Sequence, residues 1–282
     1  MTLSNLEQLA QDAKEGDREA LESLIKQIQT PIFRMAFRML GYPEDAEDAA
    51  QEILIKVITH LGEFRGDSAF RSWLYRVACN HLLNTRKRRA ERLEINLDLW
   101  EELIHVDVSI PGLTAYPEPE KVLLVEEVRI GCTQGLLLSL DRDQRMAVIL
   151  GEVFEVTSQE GAFVLDITPE TFRKRLSRGR QRIYAFMRKN CTLVNHDAPC
   201  RCQEQADRDI ASGWIDPENL HFAKYFSSPE EQAHVLQGLE EIEEMTRMAY
   251  LYRQYPAYRS PAAFPDLVKD LIDAGKFPTL AG

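Results

Sequence analysis

Apolar residues recur every three or four positions through most of this 282-residue chain, a period that predicts an all-α fold. Residues 3–28 read as two short helices around Gly16-Asp17, with Asp17 capping the second, which carries Leu21, Leu24, Ile25 and Ile28. Pro31 suits the first turn of a further helix, with Ile32, Met35, Ala36, Met39 and Leu40 on one side and Gly41 closing it. From Pro43 to His60 the inner positions are Ala46, Ala49, Ala50, Ile53 and Val57, continued by Leu61. Asp45, Asp48, Gln51 and Glu52 stay outside, and the first turn is crowded with carboxylates, where the helix dipole favours them. After a glycine-containing break, the pattern turns helical again from Ser68 to Arg89. Leu74, Val77, Ala78, His81 and Leu82 form one face; Arg76, Asn80 and Asn84 step by fours along another and run into Arg88.

The second half changes character twice. Residues 91–133 are rich in carboxylates and proline and show no sustained period, so a flexible linker is expected, anchored by Leu97, Leu99 and Trp100. Leu137, Leu140, Met146, Ile149 and Leu150 then predict an amphipathic helix, followed by a short helix with Phe163 and Val164 and a turn at Asp166-Ile167. Thr168 is a good N-cap and Pro169 a good first helical residue. The helix they open carries Arg173, Lys174, Arg175, Arg178, Arg180 and Arg182, opposed only by Glu170. Helix, tight turn and capped basic helix is the helix-turn-helix layout, whose second helix enters the major groove. Past residue 190, Val235, Leu236, Leu239, Ile242 and Met245 suggest an acidic helix, and Phe264 to Ala274 a final amphipathic one.

A net charge of −11 argues against nucleic acid only as an average, because the charge is segregated. Arg71, Arg76, Arg86, Lys87, Arg88 and Arg89 fall in a stretch with no acidic residue, whereas the chain from Asn190 onward has fifteen acidic and eight basic side chains. Phe64, Phe70, Trp73 and Tyr75 sit beside the first basic stripe, suited either to stacking on unpaired bases or to the core. No run of eighteen apolar residues and no basic-then-apolar leader occurs, so a cytoplasmic location without membrane contact is expected. Cys191, His196, Cys200 and Cys202 are spaced C-x4-H-x3-C-x-C. That spacing offers one structural zinc ion four ligands, with a redox-active thiol cluster or unliganded thiols as the other readings. No paired acid-base or nucleophile constellation marks an enzyme.

The stretches PEDAEDAAQEILIKV and FRSWLYRVACNHLLNTRKRR resemble region 2 of bacterial RNA polymerase sigma factors of the extracytoplasmic-function (ECF) class, and ITPETFRKRLSRGRQRI resembles their region-4 recognition helix. The resemblance implies that Asp45, Asp48, Gln51 and Glu52 dock on the clamp helices of core polymerase. It implies that Phe64, Arg65, Ser68, Arg76, Asn80 and Asn84, with Arg88 at the end of the stripe, melt the minus-ten promoter element. Thr171, Arg173, Lys174, Arg175 and Arg178 would read the minus-thirty-five element. In the family the acidic linker occupies the polymerase cleft. Asp166 departs from the usual small turn residue, Gly161 weakens the helix before it, and Cys79 also departs from the pattern. The H-x3-C-x-C run is similar to the H-x3-C-x2-C of zinc-binding anti-sigma domains, one residue short.

These readings give two helical sigma domains (residues 1–92 and 134–190) joined by an acidic linker (93–133), plus a helical C-terminal extension (191–282). The expected partners are core RNA polymerase, promoter DNA and either a separate anti-sigma factor or the extension acting as an internal regulator. A helix-turn-helix regulator that does not engage polymerase is the other reading, and the acidic face at Asp45, Asp48 and Glu52 argues against it.

Overall fold

The computed structural model describes residues 3–85, 90, 95–104, 113–223, 237, 244–254 and 270, and every regular element among them is helical. Four helices build the N-terminal domain: α1 (Leu3–Lys14), α2 (Arg18–Leu40), α3 (Pro43–Thr59) and α4 (Phe70–Asn84). Asp17 caps α2 as expected, accepting from the Ala20 amide at 3.0 Å, and Gly41 ends it in the left-handed region at φ 90°. Pro31 does not open a helix of its own. It lies inside the 23-residue α2. Ile28, Ile32 and Met35 flank it on one buried stripe, and burying that stripe outweighs the roughly 3 kcal/mol an internal proline costs.

The expected linker contains two helices, α5 (Leu97–Ile104) and α6 (Glu118–Leu138), and α6 runs straight through the boundary drawn at residue 133. Its period is hidden because from Leu124 to Leu137 it is buried nearly all round. Leu124, Val128, Ile130, Leu136 and Leu137 are buried together with Glu126, Glu127, Arg129, Thr133 and Gln134. A helix covered on every side loses the apolar stripe by which sequence reveals it.

The helix-turn-helix follows as α7 (Arg142–Val148), extended by a wide turn over Ile149–Val153, then α8 (Ser158–Leu165) and α9 (Pro169–Asn190). The helix expected through Leu137 to Leu150 is therefore split at Ser139 and Leu140, and Asp141 caps α7. Thr157 and Glu160 form a reciprocal capping box at the start of α8. Asp166 adopts the left-handed conformation (φ 55°, ψ 46°) that the turn requires, and Thr168 caps α9 by accepting from the Thr171 amide at 3.1 Å. Gly161 is no weakness here. A Cβ on it would meet the Phe172 ring at 2.3 Å, so its bareness lets α8 and α9 pack face to face.

Beyond α9 the extension contributes α10 (Cys202–Ala211) and α11 (Glu244–Gln254). The acidic stretch around Val235 to Ile242 and the segment Phe264 to Ala274 lie outside the described residues, apart from isolated positions. Among the described residues no helix is long and apolar enough to cross a membrane.

Candidate nucleic-acid and polymerase interface

The outer face of α3 is formed as the sequence suggests: Asp48 and Glu52 are exposed, Asp45 and Gln51 half-buried, and the alanine-rich face is buried. His81 of α4 fixes this helix from beneath. Its Nδ1 meets Lys56 Nζ at 2.8 Å and its Nε2 faces the Glu52 carboxylate at 3.5 Å. With Lys56 donating to Nδ1, the ring proton sits on Nε2, toward the carboxylate.

Across α4 runs an open groove in two adjoining parts of about 370 and 390 Å³. Phe64, Arg65, Ser68, Arg76 and Asn80 line the first part, Asn80 and Asn84 the second, and Trp73 faces both. Six of the seven residues expected to melt DNA therefore share one surface; Arg88 falls outside the described residues. The aromatics divide. Phe70 and Tyr75 belong to the core, Phe64 is nearly buried with its ring 5.3 Å edge-on to Phe70, and half-buried Trp73 offers the open ring. A groove of this size with amide and guanidinium groups along it and an indole in its floor suits an unstacked base.

On α9, Arg173, Lys174 and Arg178 are exposed and Thr171 and Arg175 half-buried. Lys174 pairs with Glu170 at 2.7 Å and Arg175 with Asp143 at 2.6 Å, whereas Arg173 and Arg178 make no ion pair among the described residues. That leaves two cations ready for backbone phosphates on a helix presented at the surface.

A match to the Sigma-70 region 2 family spans residues 24–92 and a match to Sigma-70 region 4 spans 130–183. The RNA polymerase sigma-H factor of Pseudomonas aeruginosa is 31% identical over 183 residues, which cover 65% of this chain and 94% of that one. The ECF RNA polymerase sigma-E factor of Escherichia coli is 32% identical over 178 residues, covering 62% of this chain and 90% of the relative. The chain belongs to the extracytoplasmic-function sigma factors. It is thus a sigma factor for transcription initiation, in a family that is not enzymatic. A solved structure, "Structure of CnrH in complex with the cytosolic domain of CnrY", aligns at a TM-score of 0.45 and 23% identity, covering 64% of this chain and 94% of that one.

In this sigma factor regions 2 and 4 are folded onto each other. Arg76, in the groove of region 2, donates to the Phe163 carbonyl at 3.0 Å and to Asp166 at 3.3 Å, with its guanidinium 5.1 Å from the Phe163 ring centre. Arg71 faces Glu160 at 3.7 Å, and Tyr75 meets Phe154 edge-on at 5.1 Å. Arg142 donates to the Leu83 and Thr85 carbonyls at the end of α4, and buried Arg145 donates to the Met39 carbonyl at 2.6 Å. The turn of region 4 thus lies along the edge of the α4 groove. Sequence reasoning missed these pairings because each joins residues far apart in the chain.

The extension packs on both regions as well. Glu127 of α6 accepts from the backbone amides of His221, Phe222 and Ala223, and Phe222 packs on Tyr42 and Phe37. On α11, the Tyr252 carbonyl accepts from buried Arg38 of region 2 at 3.0 Å. The Tyr252 hydroxyl donates to the Thr133 carbonyl at 3.0 Å, and Arg253 donates to the Glu152 carbonyl of region 4 at 2.8 Å.

The expected metal residues part company. Cys191, Cys200 and Cys202 line one small cavity of about 40 Å³, but His196 is not among its lining residues and places Nε2 2.8 Å from Arg247 Nη1. Cys132 of α6 lines the cavity in its stead. Burial pushes the Cys191 thiol up to about 12, the Cys200 thiol up to about 11 and the Cys132 thiol well above its ordinary value.

Proposed function

We propose that this chain is an ECF-type sigma factor that binds core RNA polymerase through the α3 face of Asp45, Asp48, Gln51 and Glu52. It reads the upstream promoter element with α9 and opens the downstream element in the α4 groove. The extension holds the unbound factor closed. The observation that carries this reading is the double strap. Arg76, a groove residue, is engaged by Phe163 and Asp166 of region 4, while α11 bonds to region 2 at Arg38 and to region 4 at Glu152. A second domain lying along the groove edge has to move before a separated strand enters. Polymerase binding supplies that work, because region 2 and region 4 of the family address separate elements of one promoter. The extension favours closure by keeping the two domains at high effective concentration.

In vitro transcription with core polymerase tests all three parts, using the full chain, a chain ending at Lys189, and Asp48→Lys with Glu52→Lys in the full chain. Closure by the extension is supported by more transcript from the shortened chain at equal folded concentration. Unchanged or reduced transcript overturns that part. Arg253→Ala, which loosens α11 without deleting the core it covers, serves if the shortened chain does not fold. The charge-reversed chain is expected to lose core association while staying folded, since like charges across an interface cost several kcal/mol. Undiminished co-purification with core would favour a DNA-binding regulator.

A further inference from the structure

We propose that Cys132, Cys191, Cys200 and Cys202 are the four ligands of one thiophilic cation of the zinc class, bound where α6, the end of α9 and the extension meet. The four cysteines come from three separate stretches of chain, yet all line one cavity. About 40 Å³ is room for an ion or a few waters. The backbone holds two of the four in register. Cys191 and Cys200 form a parallel bridge in which the Cys200 amide donates to the Asn190 carbonyl at 2.9 Å and the Thr192 amide to the Cys200 carbonyl at 3.2 Å. The Val194 and Asn195 amides fold back on the Cys191 carbonyl, giving a tight knuckle around that residue.

A polar side chain shares the cavity with the thiols. Asn190 is 1% exposed, lines the same cavity, and its Oδ1 has no hydrogen-bond partner, although its amide nitrogen donates to the Phe186 carbonyl. A closed shell of four sulfurs gives this acceptor no partner, so it is left to a cavity water and does not count toward the metal. His196, the ligand that spacing alone would choose, has its Nε2 turned to the Arg247 guanidinium, so the lone pair a metal needs is already engaged.

Among the described residues no three such side chains already stand at coordinating distance. The thiols have to close on the ion as it binds, each releasing its proton to solvent as it becomes a thiolate ligand. Four thiolates complete a closed tetrahedron of the structural type, with metal–sulfur bonds of about 2.3 Å. The ion then pins the first turn of α10 to the linker helix and to the recognition helix.

Elemental analysis and X-ray absorption on the full chain, purified anaerobically under reducing conditions and reloaded with zinc alone, test this without any polymerase. The expected result is about one zinc per chain and a shell of four sulfurs near 2.3 Å. Three sulfurs with one nitrogen near 2.0–2.1 Å would restore His196 and overturn the assignment, as would a reduced chain that takes up no zinc. Cys132→Ser is expected to weaken zinc binding by more than the 10–100-fold that losing an outer-shell partner costs, with His196→Ala unchanged. The opposite pattern rejects the proposal. If Cys132→Ser does not fold, the sulfur count of the unaltered chain decides.

Discussion

The two helices proposed to meet DNA, α4 and α9, are in different states. On α4, Arg76 is engaged from region 4 through the Phe163 carbonyl, the Asp166 carboxylate and the face of an aromatic ring. On α9, Arg173 and Arg178 are exposed and make no ion pair among the described residues. On the proposed reading, closure bears on strand separation more than on reading duplex. The physics of the two tasks fits this division. Duplex reading draws on long-range attraction to phosphates and needs only an exposed cation. Capturing an unstacked base needs a groove with its donors and an aromatic face unobstructed.

The strongest way to break this comparison is to remove the groove's amide. Asn80 is exposed and lines both parts of the groove. Asn80→Ala is expected to lower open-complex formation by about tenfold or more on preassembled holoenzyme, as losing a base contact worth 1–3 kcal/mol implies, with duplex affinity unchanged. Permanganate reactivity of unpaired thymines reads the opening directly. Equal opening by the variant would remove α4 from the melting step. The second test runs the other way. Arg173→Ala is expected to weaken duplex binding across sequences and to reduce the slope of log affinity against log salt by about one, with opening on preassembled holoenzyme little affected. A salt slope unchanged by the substitution would mean that Arg173 meets no phosphate.

The same contrast shows what the sequence displays and what it hides. Each feature of α3, α4, α8 and α9 carried by local spacing is in place: the buried alanines beneath Asp48 and Glu52, the Arg76, Asn80, Asn84 stripe, and the Thr168-Pro169 start of α9. Local rules decide these, because caps and faces depend on neighbours within a turn or two. Pro31 was misread because a long buried stripe overrode a local breaker. Helix α6 was missed for the opposite reason, since polar residues such as Glu127 and Thr133 are buried along with its apolar ones. Glu127 is there to hold the amides of His221, Phe222 and Ala223, a demand made by a segment far along the chain. Cys132 is the same kind of case. Nothing near it in sequence ties it to Cys191, Cys200 and Cys202; only the packing of α6 against α10 does so. Asp166 was legible as a turn residue but not as the partner of Arg76.

That double duty of Asp166 allows the smallest and most selective test. Its backbone needs the left-handed conformation, and its carboxylate meets Arg76 at 3.3 Å with the aspartate side chain 82% exposed. Asp166→Gly keeps the turn, because glycine adopts φ 55° without steric cost, and removes only the carboxylate. An ion pair this exposed is worth about 0–1 kcal/mol, so closure should weaken by no more than a few-fold. Paired fluorophores on α3 and α9 are expected to report a slightly more open unbound factor, with a difference that shrinks as salt rises and the pair is screened. Transcription from a limiting amount of core polymerase should rise in the same proportion. Duplex affinity through Arg173 should not change, since that residue lies on α9 beyond the turn. A variant more open in solution but equally active would show that region 4 leaves the groove before polymerase opening becomes limiting. The closed contact at Arg76 would then mark a resting shape with no control over initiation.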